Sequence, residues 1–474
     1  MYFSKLPYII YRDYPNYGYL TDNRNYGYDT KSKSCKKVGD RILSKSGSIF
    51  YSILTEHPQS LLQISRRLLR LFPKASLEEI QEDAKTFYSD LSYDGFIKVS
   101  KEPDRIQEEP IFSYNNLSPY ILKKTLTEEN PSVFDSKEFT HHRLSRVHLC
   151  ISERCNEHCV HCYFPESLRN HTMTKDLFLM VLDQCIKNRI LNITLSGGEP
   201  MLNKNLGFFI QKCRENNFSI NVLSNLTLLT DSLIKEFKAT PLLSVQTSLY
   251  SMDPVIHDSI TKVNGSFEKT KQAIKILHSL NIPIQVNCPI IKQNKDNYTQ
   301  VLDWANSLNI EASSDYLIFG CIDGSSKNLR SRLDLSEIKE LLIREKEREG
   351  NYLLEKTLFN TNDYICPVCQ SSLCISPEGN VYPCEGWQSN ILGNVKELPL
   401  GIIWAESKHI QKLRNLTLND FPRCKTCKEK SYCSPCLIRN VNESKNLNYA
   451  DINPYFCSIA KIKKSICMKD DKFD

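Results

Sequence analysis

The sequence lacks the features of a membrane-spanning, exported or nucleic-acid-binding protein. It contains no uninterrupted apolar run of about eighteen residues, the length that a membrane-spanning helix needs. Its first residues, Met1 to Pro7, lack the long apolar core of a signal peptide. Lys and Arg total 61 against 55 Asp and Glu, so the net charge of +6 falls short of the strong basic excess typical of a nucleic-acid binder. We therefore predict a cytosolic (cytoplasmic) protein that binds neither a membrane nor nucleic acid.

What the chain does have is cysteine, with nineteen residues in 474. Disulfides are rare in a reducing cytosol, so this number favours the ligation of metal ions or iron–sulfur clusters. An apolar content of 41% and a charged content of 24% are ordinary for a globular protein. The length leaves room for about three domains.

Three of these cysteines, Cys155, Cys159 and Cys162, form a Cys-x3-Cys-x2-Cys run. Three thiolates on one loop can hold three irons of a [4Fe–4S] cluster and leave the fourth iron without a protein ligand. A structural zinc site or three buried thiols are the alternatives. Zinc usually takes four ligands from paired Cys-x2-Cys units, and no fourth ligand lies at a usual distance here. The spacing resembles that of the radical S-adenosylmethionine (SAM) enzymes.

The resemblance implies that the open iron binds SAM, whose reductive cleavage releases a 5′-deoxyadenosyl radical. The tetrapeptide Gly197-Gly198-Glu199-Pro200 closely resembles the family motif that holds the SAM amino group, and its glycines let the backbone approach a ligand closely. The same resemblance implies four further SAM contacts. They are His161 beside the adenine, Ser224 and Asn225 after the third strand, and Ser248 at the ribose. A solvated loop position is the alternative for the histidine, and a helix or turn cap is the alternative for the last serine.

From residue 144 onward, short apolar strands alternate with amphipathic helices, which predicts a parallel sheet with right-handed crossovers. Six such units predict an α/β fold with a partial, TIM-like (β/α)6 barrel over residues 144–350. Chemistry in such barrels lies at the carboxyl ends of the strands, and the three cysteines directly follow the first strand. The predicted strands are 147–151, 193–196, 219–223, 243–247, 284–287 and 316–319.

Residues 1–100 contain extended segments, three helices and a last short strand, the pattern of a winged helix-turn-helix module. Ser76 and Glu79 form a capping box that begins the third helix. The module resembles the leader-peptide-binding protein of pyrroloquinoline quinone biosynthesis, which implies that an extended peptide adds a strand to a sheet edge. DNA binding is the alternative, and the low net charge favours the peptide. The arginines of the DNA alternative are Arg66, Arg67 and Arg70. Residues 101–143 are interrupted by prolines and are predicted to be a linker.

Residues 351–474 hold a second group of cysteines, in which a Cys-x2-Cys-x5-Cys-x2-Cys unit alone is also typical of zinc. The whole layout instead resembles the SPASM domain, the auxiliary-cluster extension of radical SAM enzymes that act on peptides and proteins. Cys369 and Cys374 are additional to the family pattern, and either is a candidate fourth ligand of the first cluster. Cys433 and Cys436, the last two cysteines of this unit, are separated by two residues, whereas the family usually has three residues between them. The resemblance implies that Cys366, Cys384 and Cys436 hold auxiliary cluster I, and that Cys424, Cys427, Cys433 and Cys457 hold auxiliary cluster II.

These observations predict a radical SAM/SPASM maturase of a ribosomally made precursor peptide. The expected cofactors are SAM and three [4Fe–4S] clusters, and the expected partners are the precursor peptide and a flavodoxin or ferredoxin as electron donor. A thioether cross-link within the peptide is the first choice of product, and a carbon–carbon link is the second. Peptide epimerisation, sulfatase-type maturation and an iron–sulfur redox-sensing regulator are the alternatives. No general acid or base is assigned.

Overall fold

The structure is a computed structural model that describes residues 1–26, 38–102, 142–349, 362 and 364–470. Nearly all of the predicted linker at 101–143 lies outside these residues. Within the described part of the chain, every helix is too short or too polar to cross a membrane.

The described residues among the first hundred form an N-terminal module of two small antiparallel sheets and three helices. One sheet has the strand order β5-β1-β6 and the other the order β2-β3-β4. The helices are α1 (Lys45–Ile53), α2 (Leu61–Leu69) and α3 (Leu77–Tyr93). The strands are β1 (Tyr2–Lys5), β2 (Ile9–Asp13), β3 (Tyr17–Asp22), β4 (Arg41–Ser44), β5 (Gln59–Ser60) and β6 (Ile97–Ser100).

Local sequence signals explain where these helices begin. The Ser76 hydroxyl accepts from the Glu79 amide at 3.2 Å, and the Glu79 carboxylate accepts from the Ser76 amide at 2.8 Å, which confirms the predicted capping box. Ser60 and Gln63 form a second capping box at the start of α2. Behind these helices, Phe3, Tyr51 and Tyr88 are fully buried and lie in the core of the module.

Six parallel strands form the centre of the protein, in the order in which they follow one another along the chain. This order confirms the predicted alternation of strands and helices. The strands are β7 (Arg146–Ser152), β8 (Asn192–Gly197), β9 (Ser219–Leu223), β10 (Leu243–Ser248), β11 (Ile284–Pro289) and β12 (Glu311–Asp315). The helices are α4 (Lys175–Lys187), α5 (Leu206–Glu215), α6 (Asp231–Lys238), α7 (Pro254–Thr261), α8 (Ser266–Ser279), α9 (Tyr298–Ser307) and α10 (Leu335–Glu349).

The sixth strand differs from its prediction, because β12 ends where the predicted strand 316–319 was to begin. Strand β12 lies at the edge of the sheet and pairs with β11 alone among the described strands. Its sequence, Glu-Ala-Ser-Ser-Asp, is polar and half-exposed, so it shows no apolar run. The apolar residues 317–319 belong to the following loop, where they line the cavity described below.

The C-terminal segment continues the same sheet. Strand β13 (Ser372–Ile375) pairs in parallel with β7, and β14 (Asn380–Tyr382) and β15 (Gly393–Asn394) follow in antiparallel pairing to complete nine strands. The cysteine-rich segment is therefore joined to the strand that leads into the first cysteine run. The remaining helices are α11 (Leu400–Glu406), α12 (Lys408–Arg414), α13 (Pro422–Lys425), α14 (Leu437–Val441) and α15 (Pro454–Asp470).

The N-terminal module docks on the amino ends of the parallel strands. The Asn217 side chain, just before β9, accepts from the Tyr11 amide at 2.9 Å and thereby covers the outer edge of β2. The buried Arg12 guanidinium donates to the carbonyl of Ile190, just before β8, at 2.8 Å. Leu242, just before β10, belongs to the module's apolar core. The module therefore lies at the opposite end of the sheet from the strand ends that bear the predicted SAM site.

Candidate functional site

The predicted SAM-site residues meet at the carboxyl ends of the parallel strands. The three cysteines follow β7, the Gly-Gly-Glu-Pro turn follows β8, and Ser224 follows β9. Ser248 is the last residue of β10. A cavity of about 410 Å³ opens there, and most of the predicted residues line it. They are Cys155, Cys159, His161, Cys162, Gly197, Gly198, Ser224, Asn225 and Ser248.

Backbone contacts hold the cysteine loop in place. The amides of His158 and Val160 donate to the carbonyls of Thr261 and Ile260, at the end of α7, at 2.9 and 3.0 Å. The Arg169 guanidinium donates to the carbonyls of Glu157 at 2.7 Å and Phe164 at 3.3 Å. This arginine therefore bridges the two ends of the loop, and no motif in the sequence points to this role.

The two glycines of the Gly-Gly-Glu-Pro turn pass directly against the segment that leads into the cysteine loop. Gly197 has a φ of +141°, and a Cβ atom there would lie 1.9 Å from the Ser152 carbonyl oxygen. A Cβ on Gly198 would lie 2.5 Å from the Arg154 carbonyl oxygen. Any side chain at either position would push the turn away from the loop, so both positions require glycine.

Glu199 is fully buried and lies behind the cavity wall. Its carboxylate accepts from the Ser224 hydroxyl at 2.7 Å, the Asn225 amide at 2.8 Å and the Met201 amide at 2.9 Å. Burial raises the pKa of this carboxyl to about 7. In this structure Glu199 therefore positions Ser224 and Asn225, which do line the cavity, and Pro200 is buried behind it as well.

His161 and Tyr250 form one wall of the cavity, with ring centroids 5.1 Å apart and nearly perpendicular planes. The His161 Nδ1 atom is buried without a hydrogen-bond partner among the described residues, so it is available to a bound molecule. Burial lowers the pKa of His161 to about 4, and the ring is neutral at neutral pH. The Tyr250 hydroxyl lies 3.8 Å from the Cys159 sulfur.

The cysteine thiols suit metal ligation better than free ionisation. Burial raises the pKa of Cys155 to about 12 and the pKa of Cys159 well above its usual value. Such thiols stay protonated unless a metal centre replaces the proton. Within the described residues, no group of three Cys, His, Asp or Glu side chains is arranged to hold a single metal ion.

The C-terminal cysteines line two further cavities. Cys366, Cys374 and Cys384 line one cavity, beside His148 of β7 and Glu385. Cys424, Cys427, Cys433, Cys436 and Cys457 line the other. Cys436 also lies close enough to Cys366 and Cys384 for its charge to raise their pKa values, after the larger effect of burial. This cysteine therefore lies between the two groups.

The two additional cysteines have different surroundings. Cys374 lies in β13, and its pKa is raised by burial and by the nearby Cys150, Glu385 and Cys384. Cys369 is buried outside both cavities, and its carbonyl accepts from the Arg414 guanidinium at 3.0 Å. From the sequence, Cys369 and Cys374 were equivalent candidates for the fourth ligand of auxiliary cluster I. In the structure only Cys374 lines the cavity of Cys366 and Cys384.

Sequence reasoning missed several residues of this region. Glu157 lies inside the first cysteine run, and its carboxylate accepts from the Cys159 thiol at 3.4 Å. The sequence signal for Glu157 was its position between Cys155 and Cys159 of the cysteine run. Tyr163 follows the last cysteine of the run, lines the cavity at the carboxyl ends of the strands, and lies near Cys384 and Glu385 of the neighbouring cavity.

Family models match two parts of the chain. The radical SAM superfamily model matches residues 149–305, and the SPASM model, an iron–sulfur cluster-binding domain, matches residues 366–429. Among curated proteins, the chain is similar to the AdoMet-dependent heme synthase of Methanosarcina barkeri, with 24% identity over 61% of this chain and 90% of that protein. It is 23% identical to the PqqA peptide cyclase of Granulibacter bethesdensis, over 58% of this chain and 78% of that protein. It is 25% identical to the subtilosin biosynthesis protein AlbA of Bacillus subtilis, over 62% and 67%.

Solved structures share the fold. SuiB of Streptococcus suis, bound to its precursor peptide SuiA, superposes with a TM-score of 0.57 at 13% identity, over 96% of this chain and 100% of that chain. The structure of anSMEcpe with bound AdoMet superposes with a TM-score of 0.53 at 18% identity, over 69% and 94%. The match to SuiB includes the N-terminal module, since it extends over nearly the whole chain. The two family matches therefore assign a radical SAM domain to residues 149–305 and an iron–sulfur SPASM domain to residues 366–429, the domains of an enzyme that uses SAM and [4Fe–4S] clusters.

Proposed function

We propose that the protein modifies a ribosomally made precursor peptide and closes a cross-link within it, a thioether first and a carbon–carbon link second. The observation that carries this proposal is the joining of β13 to β7. Cys374 of β13 pairs with His148 of β7, the strand that leads into Cys155, and Cys384 lines the same cavity. A cluster held by these cysteines would be on the same sheet as the site where a substrate hydrogen is removed. Closing such a link after hydrogen abstraction requires the loss of one more electron, which an auxiliary cluster can accept.

Cys155, Cys159 and Cys162 would hold the cluster that binds SAM. When bound, this pair of cofactors supplies the 5′-deoxyadenosyl radical that takes one hydrogen from an unactivated carbon. The chain itself orients the cofactor. The glycine turn would let the backbone reach the SAM amino group, His161 would meet the adenine, and Ser248 the ribose.

We assign Cys366, Cys374, Cys384 and Cys436 to auxiliary cluster I, and Cys424, Cys427, Cys433 and Cys457 to auxiliary cluster II. Cys374 is chosen over Cys369 because it lines the cavity of Cys366 and Cys384. Four cysteine ligands leave no open iron in cluster I, so its role is to accept an electron rather than to bind the peptide directly. The reducing electron for SAM would come from a flavodoxin or ferredoxin.

We propose that the N-terminal module is a winged helix-turn-helix that binds the leader of the precursor. Helix α3 carries five acidic residues and only one basic residue, a charge that opposes contact with a phosphate backbone. This disfavours the DNA-binding alternative despite the exposed arginines of α2. Strand β4 instead offers an edge to which an extended peptide can add.

The position of the module sets a length for the substrate. A leader held there is separated from the SAM cavity by the parallel strands, and the seven residues of β7 span about 20 Å at about 3.3 Å each. We therefore expect at least about ten residues between the bound leader and the modified residue, because the chain must also pass around the sheet. Tethering across this span raises the effective concentration of the core peptide at the site.

The test is the mass of a short peptide encoded beside the gene and co-expressed with the enzyme in deuterated water. A loss of two hydrogens without deuterium gain means a cross-link, and fragmentation then locates it. One deuterium gained with unchanged connectivity means epimerisation instead. A sulfatase-type maturase would oxidise a Cys or Ser without forming a link. A Cys155→Ala protein that still modified the peptide would refute the proposal, and a redox-sensing regulator would release no 5′-deoxyadenosine.

A further inference from the structure

One flank of α3 combines acidic and aromatic residues at helical spacing. Asp83, Phe87, Asp90 and Asp94 are three or four residues apart and lie on one side of the helix and its cap. Two contacts show which side this is. Asp94 forms an ion pair with Arg41 of β4. A Cβ atom on Gly47, in the first turn after β4, would lie 3.0 Å from the Phe87 ring. The flank therefore faces β4 and the beginning of α1.

Strand β4 is unpaired on the edge beyond β3, as far as the described residues show. Such an edge presents backbone N–H and C=O groups that an extended segment can pair with. A strand added there would lie beside the flank of α3. The inference that follows rests on the proposed leader-binding role of the module and concerns which leader it accepts.

Two of the three carboxylates of the flank are not neutralised by any described residue. Asp83 and Asp90 are exposed, and neither has an ion-pair partner within the described residues. Arg41, the basic residue of β4, is already engaged by Asp94. Phe87 lies half-buried between the two carboxylates, with its ring centroid 5.6 Å from that of Phe50. A bound segment therefore meets a negative, an apolar and a negative position in turn.

Helix and strand geometry convert this order into a sequence pattern. Asp83 and Asp90 are seven residues apart, about 10 Å along the helix. In an added strand, residues i, i+2 and i+4 point to the same face and span about 14 Å. If the middle residue i+2 of the added strand contacts Phe87, residues i and i+4 extend about 2 Å beyond Asp83 and Asp90. A long basic side chain at either position can reach across that distance to the carboxylate. We propose that the module recognises a leader segment with the pattern basic-x-apolar-x-basic.

The test uses the intact, cluster-containing protein and a displayed library of random peptides. The wild-type protein is compared with a charge-reversed variant, D83K/D90K, and with a control, E78K/E82K. Glu78 and Glu82 are exposed and lie outside this flank on another side of α3, so the control makes the same change in net charge away from the proposed contact. Unchanged thermal unfolding and cluster absorbance would show that each variant is folded.

We expect the wild type and E78K/E82K to enrich Lys or Arg two positions on either side of an apolar residue, and D83K/D90K to enrich Asp or Glu there. A synthetic peptide with the consensus selected by the wild-type protein should bind D83K/D90K about ten-fold more weakly than it binds the wild type. Added salt should reduce this difference in affinity because exposed charges are screened. The same consensus from wild type and D83K/D90K would overturn the charge pattern while leaving leader binding intact. No enrichment by any of the three proteins would overturn leader binding itself, and the pattern with it.

Discussion

The Ser224 hydroxyl donates a hydrogen bond of 2.7 Å to the buried carboxylate of Glu199. The bond joins the ends of two neighbouring strands, because Glu199 follows β8 and Ser224 follows β9. Through this bond Glu199, which does not line the cavity of the proposed SAM site, holds Ser224, which does. The same carboxylate accepts from the Asn225 amide, so both residues after β9 depend on it.

Replacement of Glu199 with Gln should weaken SAM binding. The amide nitrogen of Gln cannot accept the bonds that the carboxylate accepts, so at least one buried donor is left unpaired, at a cost of about 1–3 kcal/mol. We expect SAM affinity to fall about ten-fold to hundred-fold in equilibrium dialysis, with iron content unchanged. Glu215→Gln, at an exposed ion pair on α5, is the control and should bind SAM normally. Wild-type affinity in the Glu199 variant would contradict the positioning role.

The same carboxyl should make stability depend on pH. Burial raises its pKa from 4.5 in the unfolded chain to about 7 in the folded protein. The folded state therefore binds the proton more tightly, so this contribution is fully present below about pH 4.5 and is lost as the pH rises towards about 7. We expect the melting temperature to fall between pH 5 and pH 8 less steeply in Glu199→Gln than in wild type. Equal slopes in scanning calorimetry would show that another group is responsible.

Gly197→Ala should destabilise the protein and abolish SAM binding. The added Cβ would lie 1.9 Å from the Ser152 carbonyl oxygen, at a φ of +141° that L-residues rarely adopt. Overpacking and backbone strain together suggest a loss of about 2–4 kcal/mol in denaturant unfolding. Gly39→Ala is the matched control, since no atom of the described residues, its two chain neighbours aside, lies within 4 Å of its Cβ position. It should change stability by less than about 0.5 kcal/mol. Two equally stable variants would mean that the glycine turn is not constrained as described.

Arg169→Lys should loosen the loop that carries the first three cysteines. The guanidinium donates to the carbonyls of Glu157 and Phe164 at once, and a lysine ammonium lacks the planar fork that reaches both. We expect faster loss of the SAM-binding cluster in air, followed by its absorbance, with the auxiliary clusters retained. Arg189→Lys, at a half-buried arginine that donates to the Asp13 carbonyl of the N-terminal module, serves as the control. Loss of all clusters at one rate in both variants would argue against a local role.

Cys374→Ala and Cys369→Ala should differ in their effects on iron content and on the electron paramagnetic resonance spectrum. The first removes a ligand of the proposed cluster I, so iron content should fall and the electron paramagnetic resonance spectrum of one cluster should change. The second removes a thiol outside both cysteine cavities and should leave the spectrum unaltered. If the two variants exchanged these results, Cys369 would be the fourth ligand and our assignment would be wrong.

Much of the fold was predictable, because local rules govern it. Ser76 and Glu79 mark a helix start through contacts three residues apart. Each of the parallel strands β7 to β11 alternates buried apolar residues with polar ones, and these strands were predicted to within a residue or two at each end. Strand β12 was not, because an edge strand is held by pairing with β11 rather than by its own hydrophobicity.

The sequence by itself determined which chemistry is present. The spacing of Cys155, Cys159 and Cys162 and the Gly-Gly-Glu-Pro turn identify a radical SAM site, because a cluster on one loop depends on neighbours along the chain. Only the tertiary structure decided where residues that are distant in sequence lie relative to the candidate site. It put Glu199 behind the cavity, separated Cys374 from Cys369, and set the N-terminal module at the far end of the strands. These outcomes depend on which strand pairs with which, and strand pairing joins residues that are remote in sequence.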